Sequence, residues 1–331
     1  MSQTVQTSET QNRRSTMLRT ALCEVVRDAL TDPKTIEVMA NPDGSVWIEQ
    51  AGCGVVRSEH SLCAADRERV IRLVASAAGE ALSRASSIVS AELPGSGERF
   101  EGLLPPVSPA PCFSIRKPSA ARLRLDDYVD QGALAPGTAA ALRAMLAARA
   151  NILVAGGTSS GKTTFANALL AEPALADDRI VILEDTRELA CAAANTVQLR
   201  THRERASLSE LVRSTMRLRP DRIVVGEVRG PEALDLLKAW NTGHPGGVTT
   251  LHANSAYDAL ARLEQLALEA IHRPPFDLIA GAIDVIIFMS RSGGKRRVED
   301  VLRLSGHEAG AYVAAPLVEK PFSIVNHGDP A

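Results

Sequence analysis

"NILVAGGTSSGKTTFANALL", residues 151–170, is the stretch whose reading decides the fold. Four apolar residues, Ile152 to Ala155, read as a buried strand. A loop of small residues follows and closes on Gly161-Lys162-Thr163, after which the pattern turns helical. Gly156, Gly157, Thr158, Ser159, Ser160, Gly161, Lys162 and Thr163 fit G-x-x-x-x-G-K-[ST]. Small side chains let successive backbone N–H groups turn inward and cradle phosphate oxygens. The positive end of the following helix adds to the cradle, and Thr164 extends it. Lys162 is expected to reach the β- and γ-phosphates, and the Thr163 hydroxyl to ligate Mg²⁺. The expected cofactors are therefore ATP and Mg²⁺.

Hydrolysis needs an acid near the metal and a group that orients water. Two further apolar runs end in acids. "RIVILEDTREL" (179–189) ends in Glu184-Asp185, and "RPDRIVVGEVRG" (219–230) ends in Gly226-Glu227. Ligands of parallel α/β sheets sit outside the carboxyl ends of the strands, so both acids are expected to face the phosphate loop. The second stretch stands in the Walker B place, with Gly226 where the usual Asp would be. Glu227 is then the candidate metal ligand and Glu184 the other candidate base. Either acid could instead be a solvated strand end.

"NTGHPGGVTTLHANS" (241–255) has three glycines beside an apolar run, bracketed by His244 and His252. Such histidines suit a γ-phosphate contact or a core position satisfied by backbone. Zinc is disfavoured, because no Cys or further His stands at ligand spacing.

The whole chain sets the bounds. At 331 residues it is long enough for two domains. Hydrophobic residues at 45% and charged residues at 23% are ordinary for a globular protein, and the net charge of -2 gives no chain-wide attraction to nucleic acid. Aromatics at 3% leave few platforms for stacking bases, so no direct nucleic-acid binding is expected. Cys23, Cys53, Cys63, Cys112 and Cys191 include no C-x-x-C pair and suit a reducing, cytoplasmic setting. No apolar run reaches the ~18 residues that span a bilayer. Any membrane association is expected to be peripheral.

Residues 1–15 are polar and read as a disordered tail. Residues 16–115 read as a small α+β domain: a helix over Thr16–Leu30, a strand–turn–strand over 36–52, a helix over 64–82, and a Pro- and Gly-dense stretch over 92–118. Residues 116–135 read as a linker with a first helix. Over 136–331, apolar runs at 151–155, 180–183, 222–225, 247–251 and 283–288 alternate with helical patterns. That alternation implies α/β architecture with a largely parallel sheet. After Ser290 the chain reads as a loop followed by β-like pieces.

In order, "GGTSSGKTT", "ILEDTREL", "RLRPDRIVVGEVRG" and "TGHPGGVTTLHANS" resemble the Walker A motif, Asp box, atypical Walker B motif and His box of the traffic ATPases of secretion and pilus systems. "NPDGSVWIE", "LPGSGERFEGLLPPV" and "FSIRKP" are similar to the type IV secretion branch. The resemblance runs from about Ala21 into the early three hundreds. It implies a RecA-like ATPase domain behind a smaller N-terminal domain, with ATP between them, assembled as a homohexameric ring. That ring would sit peripherally at the inner membrane with other secretion components, driving pilus assembly and substrate transfer in conjugation. It carries Lys162 and Thr163 to phosphate and Mg²⁺, Glu184 to the Asp box, Glu227 to the Walker B acid and His252 to the His box. Arg116 falls where the linker approaches the nucleotide. Arg99 and Arg116 are candidates for an arginine finger or, equally, for surface salt bridges. The four-cysteine zinc element of type II export ATPases is missing, which favours the type IV branch or a retraction motor.

The alternatives are a pilus retraction or assembly motor, a DNA-translocating ATPase and a nucleotide-gated scaffold. The second would use a basic loop, and "RTHRERASLSELVRSTMRLR" (200–219) is basic enough. Its arginines suit a subunit interface better, given the scarce aromatics.

Overall fold

Asn41, Pro42, Asp43 and Gly44 have the chemistry of a tight turn. In the computed structural model of the protein they join Thr35–Ala40 (β1) to Ser45–Gln50 (β2) as an antiparallel pair. Gly44 takes φ 90°, and a Cβ there would lie 2.8 Å from the Leu62 carbonyl oxygen, so only glycine fits. The structure describes residues 16–318 except 19, 80–81, 83–86, 119–122, 203–204 and 293–294. The tail expected over 1–15 and part of the expected linker lie outside the described residues.

The chain divides into two compact units, residues 1–120 and 121–331. In the first, β1 and β2 are joined by Gly54–Ser61 (β3), Ile88–Glu92 (β4), Arg99–Leu103 (β5) and Cys112–Arg116 (β6). The six strands form one antiparallel sheet in the order β3-β2-β1-β6-β5-β4. Glu24–Thr31 (α1) and Ala64–Ala78 (α2) pack on it around Val26, Val38, Val70, Ile71, Phe100 and Ile115. The single helix expected over Thr16–Leu30 is broken at Leu22-Cys23. Cys23 is extended there (ψ 162°), and a new helix starts behind it with Glu24 at its positive end. Buried Arg67 on α2 gives its guanidinium to the carbonyls of Pro111, Leu62 and Pro42 (2.8 Å for the last), tying helix to turn.

In the second unit, Leu125–Asp130 (α3) and Pro136–Ala147 (α4) precede the quoted stretch. Pro136 starts α4, where its missing N–H costs nothing. Ile152–Gly156 is strand β7 and Lys162–Leu170 is helix α5. Then come Ile180–Glu184 (β8), Thr196–Arg200 (β9), Leu208–Thr215 (α6), Arg222–Val225 (β10), Glu232–Asn241 (α7) and Val248–His252 (β11). Ala256–Leu268 (α8), Phe276–Ala282 (α9), Val285–Ser292 (β12), Lys295–Glu308 (β13) and Ala311–Pro316 (β14) complete the unit.

The sheet order is β14-β13-β12-β7-β11-β10-β8-β9. From β12 to β9 every pair is parallel, and β13 and β14 are antiparallel additions. Every residue of β7, β8 and β10 is buried, which is why their sequences are continuous apolar runs rather than alternating ones. One core, with Leu153, Leu183 and Ile223, faces α6 to α9; the other, with Ile152, Val154 and Ile182, faces α3 to α5. Each such side chain contributes ~1.5–3 kcal/mol on burial.

The loop expected after Ser290 does not begin there: residues 291–292 and 295–308 are strand, and 293–294 lie outside the described residues. Arg291 and Ser292 pair with Arg296 and Lys295, so β12 runs to its last residue before turning back. Its outer part is polar, and an apolar-run criterion stops short of it. Strand β9 escapes the same criterion because its residues are half-exposed at the sheet edge.

Candidate nucleotide site

β7 ends at Gly156 with φ 155°, and a Cβ there would meet the Met289 carbonyl oxygen and Ser160 Oγ, the latter at 2.6 Å. Gly161 caps α5 with φ 98°, and Ser159 is left-handed at φ 59°. The loop is thus wound tightly around its own amides. The first helical bond runs from Phe165 N to Gly161 O at 2.9 Å, which leaves the amides of Lys162, Thr163 and Thr164 in the helix's first turn, where no intrahelical acceptor is available.

Lys162 is 7% exposed. Its ammonium donates to Gly156 O (3.0 Å) and Gly157 O (3.1 Å) and lies 3.3 Å from His252 Nδ1. Strand register explains the meeting, since His252 ends β11 directly beside Gly156. Nε2 of His252 is 2.9 Å from Glu227 Oε1. Burial first, then the Lys162 charge, holds the His252 pKa below the ordinary imidazole value, against the opposite pull of Glu227. A neutral ring that accepts from Lys162 at Nδ1 carries its proton on Nε2, toward Glu227. Glu227 Oε2 accepts from Arg229 Nε at 2.9 Å, and Arg229 reaches Asp185 at 3.8 Å. A row of alternating groups therefore runs from the phosphate loop across the strand ends.

Glu184 ends β8 and is 4% exposed. Its Oε1 accepts from the amides of Glu188 (2.9 Å) and Leu189 (2.8 Å). Gly226 is explained by this neighbour: a Cβ on Gly226 would stand 3.0 Å from Glu184 Cγ. Glu184 fills the room that an Asp at 226 would need. The two acids thus divide, Glu184 bound to its own backbone and Glu227 turned to His252.

His244 does not join them. Gly246 and Gly247 precede β11, and their amides donate to Asn151 Oδ1 at 2.7 and 3.0 Å. That places the glycines, with His244 before them, at the opposite end of the strand from His252, about 13 Å away at ~3.3 Å per residue. The glycines serve packing: Trp240 and Ile223 occupy the space a Gly247 side chain would take. Buried Arg222, 1% exposed, binds the Gly246 carbonyl at 3.1 Å and pairs with Asp178.

Arg116 and Arg99 lie in the first unit as a cross-strand pair on β6 and β5, and Glu37 pairs with Arg116 on its other side. In the basic segment 200–219, Arg213 makes a two-pronged bond to Asp235 at 3.0 and 3.1 Å. Thr201, His202 and Ser207 of the same segment line a cleft of about 360 Å³ with Asp185, Arg229 and Glu232.

The residues fit a magnesium nucleotide. Ser160 Oγ is buried without a hydrogen-bond partner, and Glu227 Oε1 lies 2.9 Å from His252 Nε2. Among the described residues no three His, Cys, Asp or Glu side chains gather as a metal cage. Mg²⁺ is usually held by one or two protein groups together with substrate phosphates. Thr163, half-buried on the first turn of α5, and Glu227 are the groups that would hold it.

Sequence reasoning missed Asn151, Arg229 and Arg296. Asn151 is signalled only by its place before the apolar run. Arg229 stands two residues after Glu227, close enough to have been considered with it. Arg296, whose Cδ lies 2.8 Å from where a Gly161 Cβ would be, comes from the far end of the chain and carries no local signal.

Residues 65–296 match the family described as "Type II/IV secretion system protein". The chain is 49% identical over 286 residues to the conjugal transfer protein TrbB of Rhizobium radiobacter, covering 86% of this chain and 88% of that one. It is 28% identical to the type IV secretion system protein VirB11 of Bartonella henselae, covering 84% and 90%. Among solved structures, the pilus retraction motor PilT with bound ADP shares the fold at TM-score 0.60 and 19% identity, over 86% of this chain and 83% of that one. A RecA-like ATPase unit behind a smaller N-terminal unit is the architecture these folds have in common. With the family match spanning both units and a 49% identical relative over most of its length, the chain belongs to the type II/IV secretion system protein family, on its type IV secretion side.

Proposed function

We propose that the chain is an ATP-hydrolysing motor of a conjugative type IV secretion system. The observation that carries the hydrolysis is the row Lys162–His252–Glu227, which links the phosphate loop to an acid through an imidazole. The kinship with TrbB supports the system it serves.

In this reading the loop amides and Lys162 bind the β- and γ-phosphates, and Lys162 exchanges its two loop carbonyls for phosphate oxygens. Thr163 and Glu227 hold Mg²⁺, which neutralises developing charge on the phosphates when bound. Glu227 orients the attacking water, with Arg229 fixing the carboxylate from behind. His252 keeps its Nε2 proton toward Glu227 and so reports on whether Lys162 is engaged. Glu184 fixes the backbone over 188–189 and is the second candidate base. Arg116 stabilises charge on the phosphates, the role the family resemblance implies.

The chains assemble as a homohexamer. It works in the cytoplasm, bound peripherally to inner-membrane components of the secretion system. Among the described residues no helix is long and apolar enough to cross a membrane. The alternative of a pilus retraction motor has only the shared fold behind it. The DNA-translocating alternative is weakened by Arg213, which is bound to Asp235 rather than offered to a phosphate backbone.

Mg²⁺-dependent phosphate release from ATP by the purified chain, beside transfer frequency in a donor lacking the native gene, tests the proposal. Wild type is expected to hydrolyse ATP and restore transfer, and Glu227→Gln to do neither while still binding nucleotide. Full transfer with Glu227→Gln would sink it.

A further inference from the structure

The phosphate loop has two flanks, and the one away from His252 carries positive charge of its own. β7 lies between β11 and β12. On the β11 flank stand His252 and Glu227. On the β12 flank, Arg291 and Arg296 are directly opposed across the β12–β13 ladder. By the alternation of a strand they share a face with Met289 and Val298, which pack against the core on the α5 side.

The Arg296 stem runs across the head of α5. A Cβ on Gly161 would lie 2.8 Å from Arg296 Cδ and 3.5 Å from its Nε. Its charge also acts on Tyr128, opposing the burial that pushes that phenol up to about 12. Both arginines are exposed.

Like charges placed directly opposite on a ladder repel each other. This pair also stands beside the positive end of a helix. An anion lying between them relieves both costs. The position says which anion. A nucleotide whose diphosphate fills the loop points its hydrolysed end toward His252 and Glu227, so its nucleoside end leaves on the other flank.

We propose that Arg296, with Arg291 opposite it, holds the α-phosphate end of a bound nucleoside di- or triphosphate. This rests on the reading of the loop as an ATP site and adds a second, C-terminal holder to it. The contact is the same for ATP and ADP, so it strengthens binding of both and leaves the cleavage step alone.

Calorimetric ADP affinity, KM for ATP and the single-turnover rate at saturating ATP are measured for wild type, Lys162→Ala, Arg296→Ala, Arg296→Lys and Arg291→Ala. Thermal unfolding of each variant excludes misfolding. Arg296→Ala is expected to weaken ADP roughly tenfold, as loss of a charge-assisted contact does, with a matching rise in KM rather than a fall in the saturated rate. Arg296→Lys recovers most of the loss, and Arg291→Ala moves the same way by less. Wild-type ADP affinity in Arg296→Ala, beside a Lys162→Ala that no longer binds, would overturn this proposal and leave the loop reading intact. A wild type that binds no ADP removes both. Sedimentation with phosphatidylglycerol vesicles covers the rival use of this basic hairpin. Loss of vesicle binding in Arg296→Ala without loss of ADP affinity would assign the arginines to a membrane surface and overturn the proposal.

Discussion

Lys162 Nζ and His252 Nδ1 lie 3.3 Å apart, one at the start of α5 and the other at the end of β11. Lys162 is nine-tenths buried, and its ammonium rests on two loop carbonyls. It is held where phosphate oxygens arrive, and its partners there are ones it can exchange.

Lys162→Ala is therefore expected to abolish hydrolysis and to weaken nucleotide binding strongly. A preorganised charge in a dry site is worth several kcal/mol, about 3–4 by the loss seen when one such donor is removed. Turnover within tenfold of wild type, in a steady-state phosphate assay, contradicts the assignment.

Glu227→Gln and Glu184→Gln are expected to fail differently. The first keeps shape and loses the charge facing His252, so it binds ATP and cleaves it slowly. The second weakens a buried carboxylate that accepts two backbone amides, and lowers stability by ~1–3 kcal/mol. Single-turnover hydrolysis beside a thermal melt separates the two. A stable Glu184→Gln with the slower chemistry would exchange the roles.

Gly226→Asp would put an acid where the usual Walker B Asp stands. It is expected to lose both stability and activity, because the new side chain enters the space of Glu184 Cγ and sets two carboxylates together. Overpacking of this kind costs ~1–3 kcal/mol. A variant with raised ATPase activity and an unchanged melting temperature would remove the steric account of Gly226.

A head-to-tail interface repeated by rotation closes into a ring. ATPase rate per chain is expected to fall on dilution in step with mass, and Arg116→Ala to lower the rate without altering the fold. Light scattering and rate measured on the same dilution series test this. A monomer of constant specific activity contradicts the ring mechanism.

The central strands were legible because burial on both faces writes them as unbroken apolar runs. The loop between β7 and α5 was legible because its pattern of small residues before Lys162 and Thr163 has a fixed spacing. Glu184 and Glu227 were read alike as acids after apolar runs, and their different partners were not foreseen, since these depend on Gly226 lying against Glu184 across two strands. His244 and His252 look equivalent along the chain, yet five residues of strand separate the ends they flank. Arg296 was out of reach for a related reason. Its contact with Gly161 exists only because β12 runs beside β7 and β13 folds back along it.

The sheet is cross-tied by side chains at the end where β7 starts. Asn151 ties the starts of β7 and β11 to Ala282 and Asp284, and Arg222 ties the start of β10 to Gly246 and Leu146. At the other end the Thr250 hydroxyl bonds the Gly226 carbonyl, and the remaining ties run through charged groups, Lys162 on Gly156 and Glu227 beside His252. β7 and β11 are therefore pinned through a buried amide at the root and, in part, through exchangeable charges at the tip. A displacement at the tip of one cannot be taken up by sliding at its root, and it passes sideways to the neighbouring tips. Amides near Asn151 will exchange with deuterium last and those after Gly156 first, a gradient along single strands rather than between layers.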